Sequence, residues 1–190
     1  MGYTRCFGNW GASPSKGRRT GIVSVDWAEV YRTTFPEVVR FLHRKVWDTE
    51  RARDLAQEVF VRALSHDPES PRAWVFRVAA NLARDEARTV LRRKRHLALL
   101  KGEARDAPAP PTPEESLEAT EVRARLQQSL ETLGERDREV LLLWDAGLSY
   151  REIASVIDLA PGAVGTTLAR ARRRLVEAHR ALERDHEART

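Results

Sequence analysis

The sequence predicts an all-α protein of two small helical domains joined by an acidic, proline-rich linker. Three observations carry that expectation. Apolar residues recur at helical spacing through most of residues 26–181, and no stretch alternates apolar and polar residues over a useful strand length. Four of the nine prolines crowd into APAPPTPEE, Ala107–Glu115, where the backbone should be extended and free of core contacts. At 190 residues the chain has room for one or two domains, and lobes of about 70 residues must share apolar surface between helices to be stable.

Each element has its own signal. Residues 1–24 hold Gly, Ser, Lys and Arg without periodicity and read as a disordered N-terminal extension. Asp26–Trp47 is a first helical stretch, with Trp27, Val30, Tyr31, Phe35, Val38, Val39 and Leu42 apolar; Pro36 should start a new turn or kink it. Asp48–Leu64 is a second helix, and SHDPESP, Ser65–Pro71, is a turn-rich loop that stops it and caps the next. A long third helix runs from Pro71 to about Leu97 and closes a domain spanning 25–97. The linker, 98–117, follows. Glu118–Leu133 resumes helix, Gly134 breaks it, and Glu135–Asp145 forms another before Gly147. The second domain covers 118–181, and the charged tail 182–190 is expected to fray.

The most informative stretch is Leu148–Leu175, which reads as two helices joined by a very short turn. Ile153, Ala154 and Ile157 mark the buried face of the first; Asp158-Leu159-Ala160 form the break. Pro161 suits a first helical position, where its missing N–H would be unpaired anyway. Val164, Leu168, Ala171 and Leu175 form one inward stripe, leaving Ala163, Thr166, Thr167, Arg170, Arg173 and Arg174 outside. Such a helix, short-polar then basic on its outer side, can lie in the DNA major groove. A surface hairpin with a solvated basic face is the plainer alternative.

The third helix carries a second signal. At 100° per residue, Arg77, Asn81, Arg84, Arg88, Arg92 and Arg95 fall within about 80° of arc, in a row roughly 27 Å long. Val75, Val78 and Leu82 lie on the far side. Like charges four residues apart repel, so the row weakens the helix unless an anion neutralises it. Trp74 sits near its edge, where the ring could stack on an unpaired base or simply pack. Trp144, with Phe60, Leu141 and Leu143, reads as a core or subdomain-packing residue.

Charge and composition narrow the classes. The net charge is +5, unevenly placed: residues 1–25 carry +4, and residues 102–121 carry −5. Cys6 is the only cysteine, so no intrachain disulfide forms; His43, His66, His96, His179 and His186 share no ligand spacing. Neither a membrane-length apolar run nor a signal-peptide core is present, which points to a cytoplasmic protein without membrane insertion. An enzyme is a poor reading: the chain lacks a phosphate-binding glycine loop, a metal-ligand cluster and an activated serine or cysteine pattern.

Three motifs in this order resemble the extracytoplasmic-function group of bacterial RNA polymerase sigma factors, within the sigma-70 family, over about residues 26–180. They are DLAQEVFVRAL (Asp54–Leu64), WVFRVAANLARDEARTVLRRKRH (Trp74–His96) and the stretch Leu133–Leu175. The resemblance implies a sigma factor that binds core RNA polymerase at the β′ clamp helices and β flap. It would recognise −35 and −10 promoter elements and help melt the −10 region. Asp54, Leu55, Gln57, Glu58 and Arg62 would form the polymerase-docking set, with Leu55, Val59 and Phe60 turned mostly inward. The −10 set would be His66, Asp67, Ser70, Trp74, Arg77, Asn81, Arg84 and Arg88, the loop His66–Ser70 cradling a base flipped from the non-template strand.

The −35 set would be Ser149, Arg151, Ala163, Thr166, Thr167, Arg170, Arg173 and Arg174, with Arg170 and Arg172 matching the family's R-A-R. The chain departs at Gly165–Thr167, where many members carry a basic residue, then serine, then arginine. Thr166 and Thr167 could hydrogen-bond base edges or phosphates, or meet a thymine methyl. The linker would thread the polymerase's RNA path, or serve as a soluble spacer. An anti-sigma factor is a further partner the resemblance allows; no cofactor or metal is implied. A stand-alone transcription factor would share the Leu148–Leu175 element but not need the Asp54–Leu64 motif or a second basic helix.

Overall fold

The computed structural model describes residues 25–100 and 117–187, and among them the chain forms seven helices and no strand. The expected N-terminal extension and most of the linker lie outside the described residues.

Three helices build the first lobe: α1 (Trp27–Val46), α2 (Thr49–Ala63) and α3 (Pro71–Leu100). Side-chain caps set their starts. The Asp26 carboxylate accepts from the Ala28 and Glu29 N–H groups, and Asp48 accepts from Arg51. Trp47 closes α1 in the left-handed region at φ 58°, which turns the chain straight into α2. α1 continues through Pro36, whose ring faces solvent, rather than restarting there. The three helices bury Val38, Phe41, Leu42, Leu55, Val59, Val75 and Phe76, the Phe41 and Phe76 rings meeting edge-on at 5.5 Å.

The second lobe holds α4 (Leu117–Glu131), α5 (Glu135–Asp145), α6 (Tyr150–Ile157) and α7 (Pro161–Glu187). α6 starts with a reciprocal cap. The Ser149 hydroxyl accepts from the Glu152 N–H, and the Glu152 carboxylate accepts from the Ser149 N–H at 2.8 Å. Asp158, at φ 54°, ends it, and Pro161 opens α7 as its position suggests. The stripe Val164, Leu168 and Ala171 is fully buried against Val140, Leu143 and Ile153. Val156 is buried where Ile157 was expected, and Ile157 is half-buried.

Two expectations change. α7 does not fray beyond Ala181 but stays helical to Glu187, because Leu175, Ala178, His179 and Leu182 extend a half-buried stripe along the side that packs on α4. Trp144, expected among packing residues, is 44% exposed. The lobes touch: α3 packs on α6 and α1 on α5, with the buried apolar residues forming one continuous cluster.

Phe76 is fully buried at the centre of the first lobe. Phe76→Ala is therefore expected to lower stability by about 3–5 kcal/mol in urea unfolding; a loss under about 1 kcal/mol would show that the ring is dispensable to the core.

Candidate nucleic-acid interface

The arginine row on α3 is divided by the second lobe. Arg77, Asn81 and Arg84 lie under α5 and α6, whereas Arg88, Arg92 and Arg95 are exposed. Arg84 donates to both oxygens of Glu139, at 3.0 and 3.1 Å, and to the Asn81 Oδ1 at 2.5 Å, while its Nε lies 3.3 Å from Glu135. Arg77 donates to the Ser155 hydroxyl at 2.8 Å and to its carbonyl. Part of the repulsion along the row is thus offset by carboxylates of the same chain. Arg88, 73% exposed, pairs with Asp85 beside it on α3, at 3.2 Å.

Residues that the sequence did not single out complete this contact. Lys45 of α1 approaches Glu139 at 3.4 Å, both side chains being about 5% exposed. Burial pushes the Lys45 ammonium below its ordinary value, with Glu139 pulling the other way. Arg72 donates to the carbonyls of Ala146 and Gly147, at 2.8 and 3.1 Å, and to Glu37. Arg44 pairs with Asp145.

At the other end of the first lobe, the loop 66–70 is tied to the start of α1. The Trp27 indole donates to the His66 carbonyl at 3.1 Å, and the Val25 N–H to Asp67 at 3.2 Å. Trp74 is half-buried, 4.8 Å from the His66 ring and 6.0 Å from the Trp27 ring. It therefore packs, as one of its two readings held. Asp67 and Ser70 are exposed beside it.

On α2, Asp54 and Gln57 are exposed, and Glu58 is tied to Arg62 at 2.5 Å. Leu55 leaves the docking set: it is 2% exposed, packed into the three-helix core, and offers no surface to a partner. Exposed apolar residues stand beside that polar face instead. Tyr31, Val61 and Leu64 rim a hollow floored by Trp27 and Phe60. Val61 and Leu64 are the least matched of these to their surroundings, at 68% and 72% exposed.

On α7, Ala163 is half-buried and Thr166 exposed, its hydroxyl bonded back to the Ala163 carbonyl at 3.0 Å. Thr167 is corrected: at 6% exposure it belongs to the packed side, adjacent to Leu168, and cannot meet DNA. Arg170 and Arg174 converge on Asp137 of α5, at 2.8 and 2.6 Å, and the Asp137 carboxylate is itself buried. The hydrogen bond from Arg170, followed by that from Arg174, holds this carboxyl below its ordinary value against the opposing effect of burial. Arg172 lies 3.9 Å over the exposed Trp144 ring, and Arg173 points outward, 72% exposed. Arg151 is exposed, while Ser149 is occupied in the α6 cap. One sequence signal could have found Asp137: it stands in helical register with the buried Val140 and Leu141, where an apolar residue is expected.

Among the described residues no helix is long and apolar enough to cross a membrane, and no cluster of His, Cys, Asp and Glu is placed to hold a metal ion. Two helical lobes, each with an arginine-bearing helix, fit a nucleic-acid-directed protein, and comparison with known proteins specifies the class. Residues 30–98 match the sigma-70 region 2 model and residues 123–175 the sigma-70 region 4 model. The RNA polymerase sigma factor YlaC of Bacillus subtilis is 31% identical over 150 residues, which cover 76% of this chain and 86% of that one. The ECF RNA polymerase sigma factor SigM of the same organism is 30% identical over 159 residues, 77% of this chain and 91% of that one. The sigma factor RpoE of Bartonella quintana, solved in complex with the anti-sigma factor NepR, shares the fold. Its TM-score is 0.56 at 21% identity, over 80% of this chain and 96% of that one. The chain belongs to the extracytoplasmic-function group of sigma-70 RNA polymerase sigma factors.

Two expectations follow from the geometry. Glu139→Gln leaves Lys45 and Arg84 without their shared charge, so small-angle X-ray scattering should show a larger radius of gyration; an unchanged profile would mean that the carboxylate does not hold the lobes together. Asp137 has a folded value below its ordinary 3.8. Its stabilising contribution is therefore complete above the ordinary value and lost as pH falls through the folded one. The stability gap between the wild-type chain and Asp137→Asn should narrow on acidification below about pH 4; a constant gap in urea titrations would contradict the ionic assignment.

Proposed function

We propose that residues 25–97 dock on core RNA polymerase and engage the −10 element, while residues 118–181 engage the −35 element. The observation that carries this reading is the presence, in one chain, of two separate helices with arginines at helical spacing, α3 and α7, beside the polar face of α2. Asp54, Gln57, Glu58 and Arg62 are the polymerase-docking residues in this reading, at the β′ clamp helices, and the second lobe meets the β flap. His66, Asp67 and Ser70 receive an unpaired base beside the packed Trp74, and Arg77, Asn81, Arg84 and Arg88 follow the strand backbone. Arg151, Ala163, Thr166, Arg170, Arg173 and Arg174 face the −35 duplex, with Ser149 setting the start of α6.

Arg77 and Arg84 serve the second lobe in the arrangement described, so they reach DNA only once the lobes part. Core polymerase supplies the separation by holding the lobes at two distant boxes, and simultaneous engagement makes two weak contacts strong. An anti-sigma factor would do the reverse and keep them together; the Bartonella quintana relative was solved bound to one. The protein acts in the cytoplasm and carries no catalysis of its own.

The test is run-off transcription with core polymerase. Arg84→Ala with Arg88→Ala should reduce promoter opening at least tenfold while co-purification with core polymerase is retained, since several phosphate contacts are lost together. Equal transcript yield from the double variant would overturn the −10 assignment.

A further inference from the structure

We propose that Asp137 is a positioning residue for −35 recognition: its buried carboxylate fixes Arg170 and Arg174 in one orientation on the DNA-facing flank of α7. The inference rests on the reading of α7 as the −35 helix and assigns its selectivity to a residue that does not itself touch DNA.

The geometry is specific. Asp137 stands in the first turn of α5 and is 3% exposed, so neighbouring side chains restrict its carboxylate. Each oxygen takes one guanidinium, Arg170 on one and Arg174 on the other. These arginines are one helical turn apart and would otherwise repel. Both remain about half exposed, at 44% and 53%, so their outer N–H groups stay open to an acceptor. An arginine left free on a helix surface adopts many rotamers and is attracted to any phosphate. Here that freedom is surrendered on folding, and one of the two positive charges is offset. Attraction to arbitrary DNA falls, and the donors that remain are pre-aimed.

The rest of the helix gives these two arginines their weight. Gly165 has no side chain, Thr167 is buried, and the Thr166 hydroxyl is already bonded to its own helix. On the flank shared with Ala163 and Thr166, the long donors are therefore Arg170, Arg173 and Arg174, and Asp137 orients two of the three. Joining α5 to α7 does not require the pair, because the two helices already pack together, with Val140, Leu143, Val164 and Leu168 buried in one apolar cluster.

The test uses the full chain reconstituted with core polymerase on a template pool randomised over the −35 window, with transcripts sequenced. For Asp137→Asn, sequence enrichment in the window should drop about fivefold or more, the loss of one oriented contact. Binding of the same variant to random duplex should become more salt-dependent, by about one released counterion. A purely structural salt bridge would lower the melting temperature and leave the enrichment as in the wild type, whatever the salt slope; that result overturns the proposal. Should Asp137→Asn fail to fold, Asp137→Glu decides, since it keeps the charge one methylene further out. Reduced enrichment at the wild-type salt slope supports positioning, and wild-type enrichment overturns it. If the wild-type chain itself enriches no window, the −35 reading fails along with this one.

Discussion

The relation between the two lobes depends on one carboxylate. Glu139 is buried on the second lobe, and the cations that neutralise it, Lys45 and Arg84, both come from the first. A charge removed from water is costly unless it is paired and hydrogen-bonded. Neither Glu139 nor Lys45 would stay dry if the lobes moved apart slightly, so the contact is held in full or released. Around this centre the remaining bonds share one chemistry. Arg72 and Arg77 donate to carbonyl and hydroxyl oxygens of Ala146, Gly147 and Ser155, acceptors of the kind a phosphate backbone also presents. In the proposed function, the second lobe thus occupies a donor, Arg77, that DNA would use.

This divides α3 into two functional lengths. In the covered length, Arg84 is paired with carboxylates of the second lobe, and Arg77 is hydrogen-bonded to neutral oxygens of Ser155. The open length, Arg88 to Arg95, holds the exposed Arg88, Arg92 and Arg95, with Arg88 paired to Asp85 of the same helix, and keeps its attraction for a polyanion. In the proposed function, separation of the lobes would exchange ion pairs for phosphate contacts, with a net change smaller than either set alone. A competition balanced in that way responds to modest additional binding energy, such as a polymerase surface or an inhibitory partner can provide.

The helices and the inward stripe of α7 were legible in the sequence, because period-3.6 patterns persist over many residues, Asp48 and Ser149 cap the helices they precede, and Pro161 suits a first helical position. The arginine row was legible as a row. Its surroundings were not, since a basic helix face has the same spacing whether it meets solvent, nucleic acid or another lobe. Lys45 and Glu139 are 94 residues apart, and no local pattern links them. Thr167 was misplaced because it lies at the margin of the buried stripe, where a small rotation of the helix decides the matter. Leu55 shares a motif with docking residues yet sits on the core side of α2. Trp144 shows the opposite error: a large apolar ring was expected inside, and an arginine covers it outside instead.

The uninterrupted run of α7 has a mechanical consequence. Its 27 residues form a rod about 40 Å long, with the turns proposed to face the −35 duplex at one end and the α4 groove, lined by Leu126, Leu175 and His179, towards the other. A rod of that stiffness cannot bend locally to absorb a push. A tilt of about 5° around its midpoint displaces both tips by about 2 Å, in opposite directions. Whatever presses on the far tip is therefore felt at the near one.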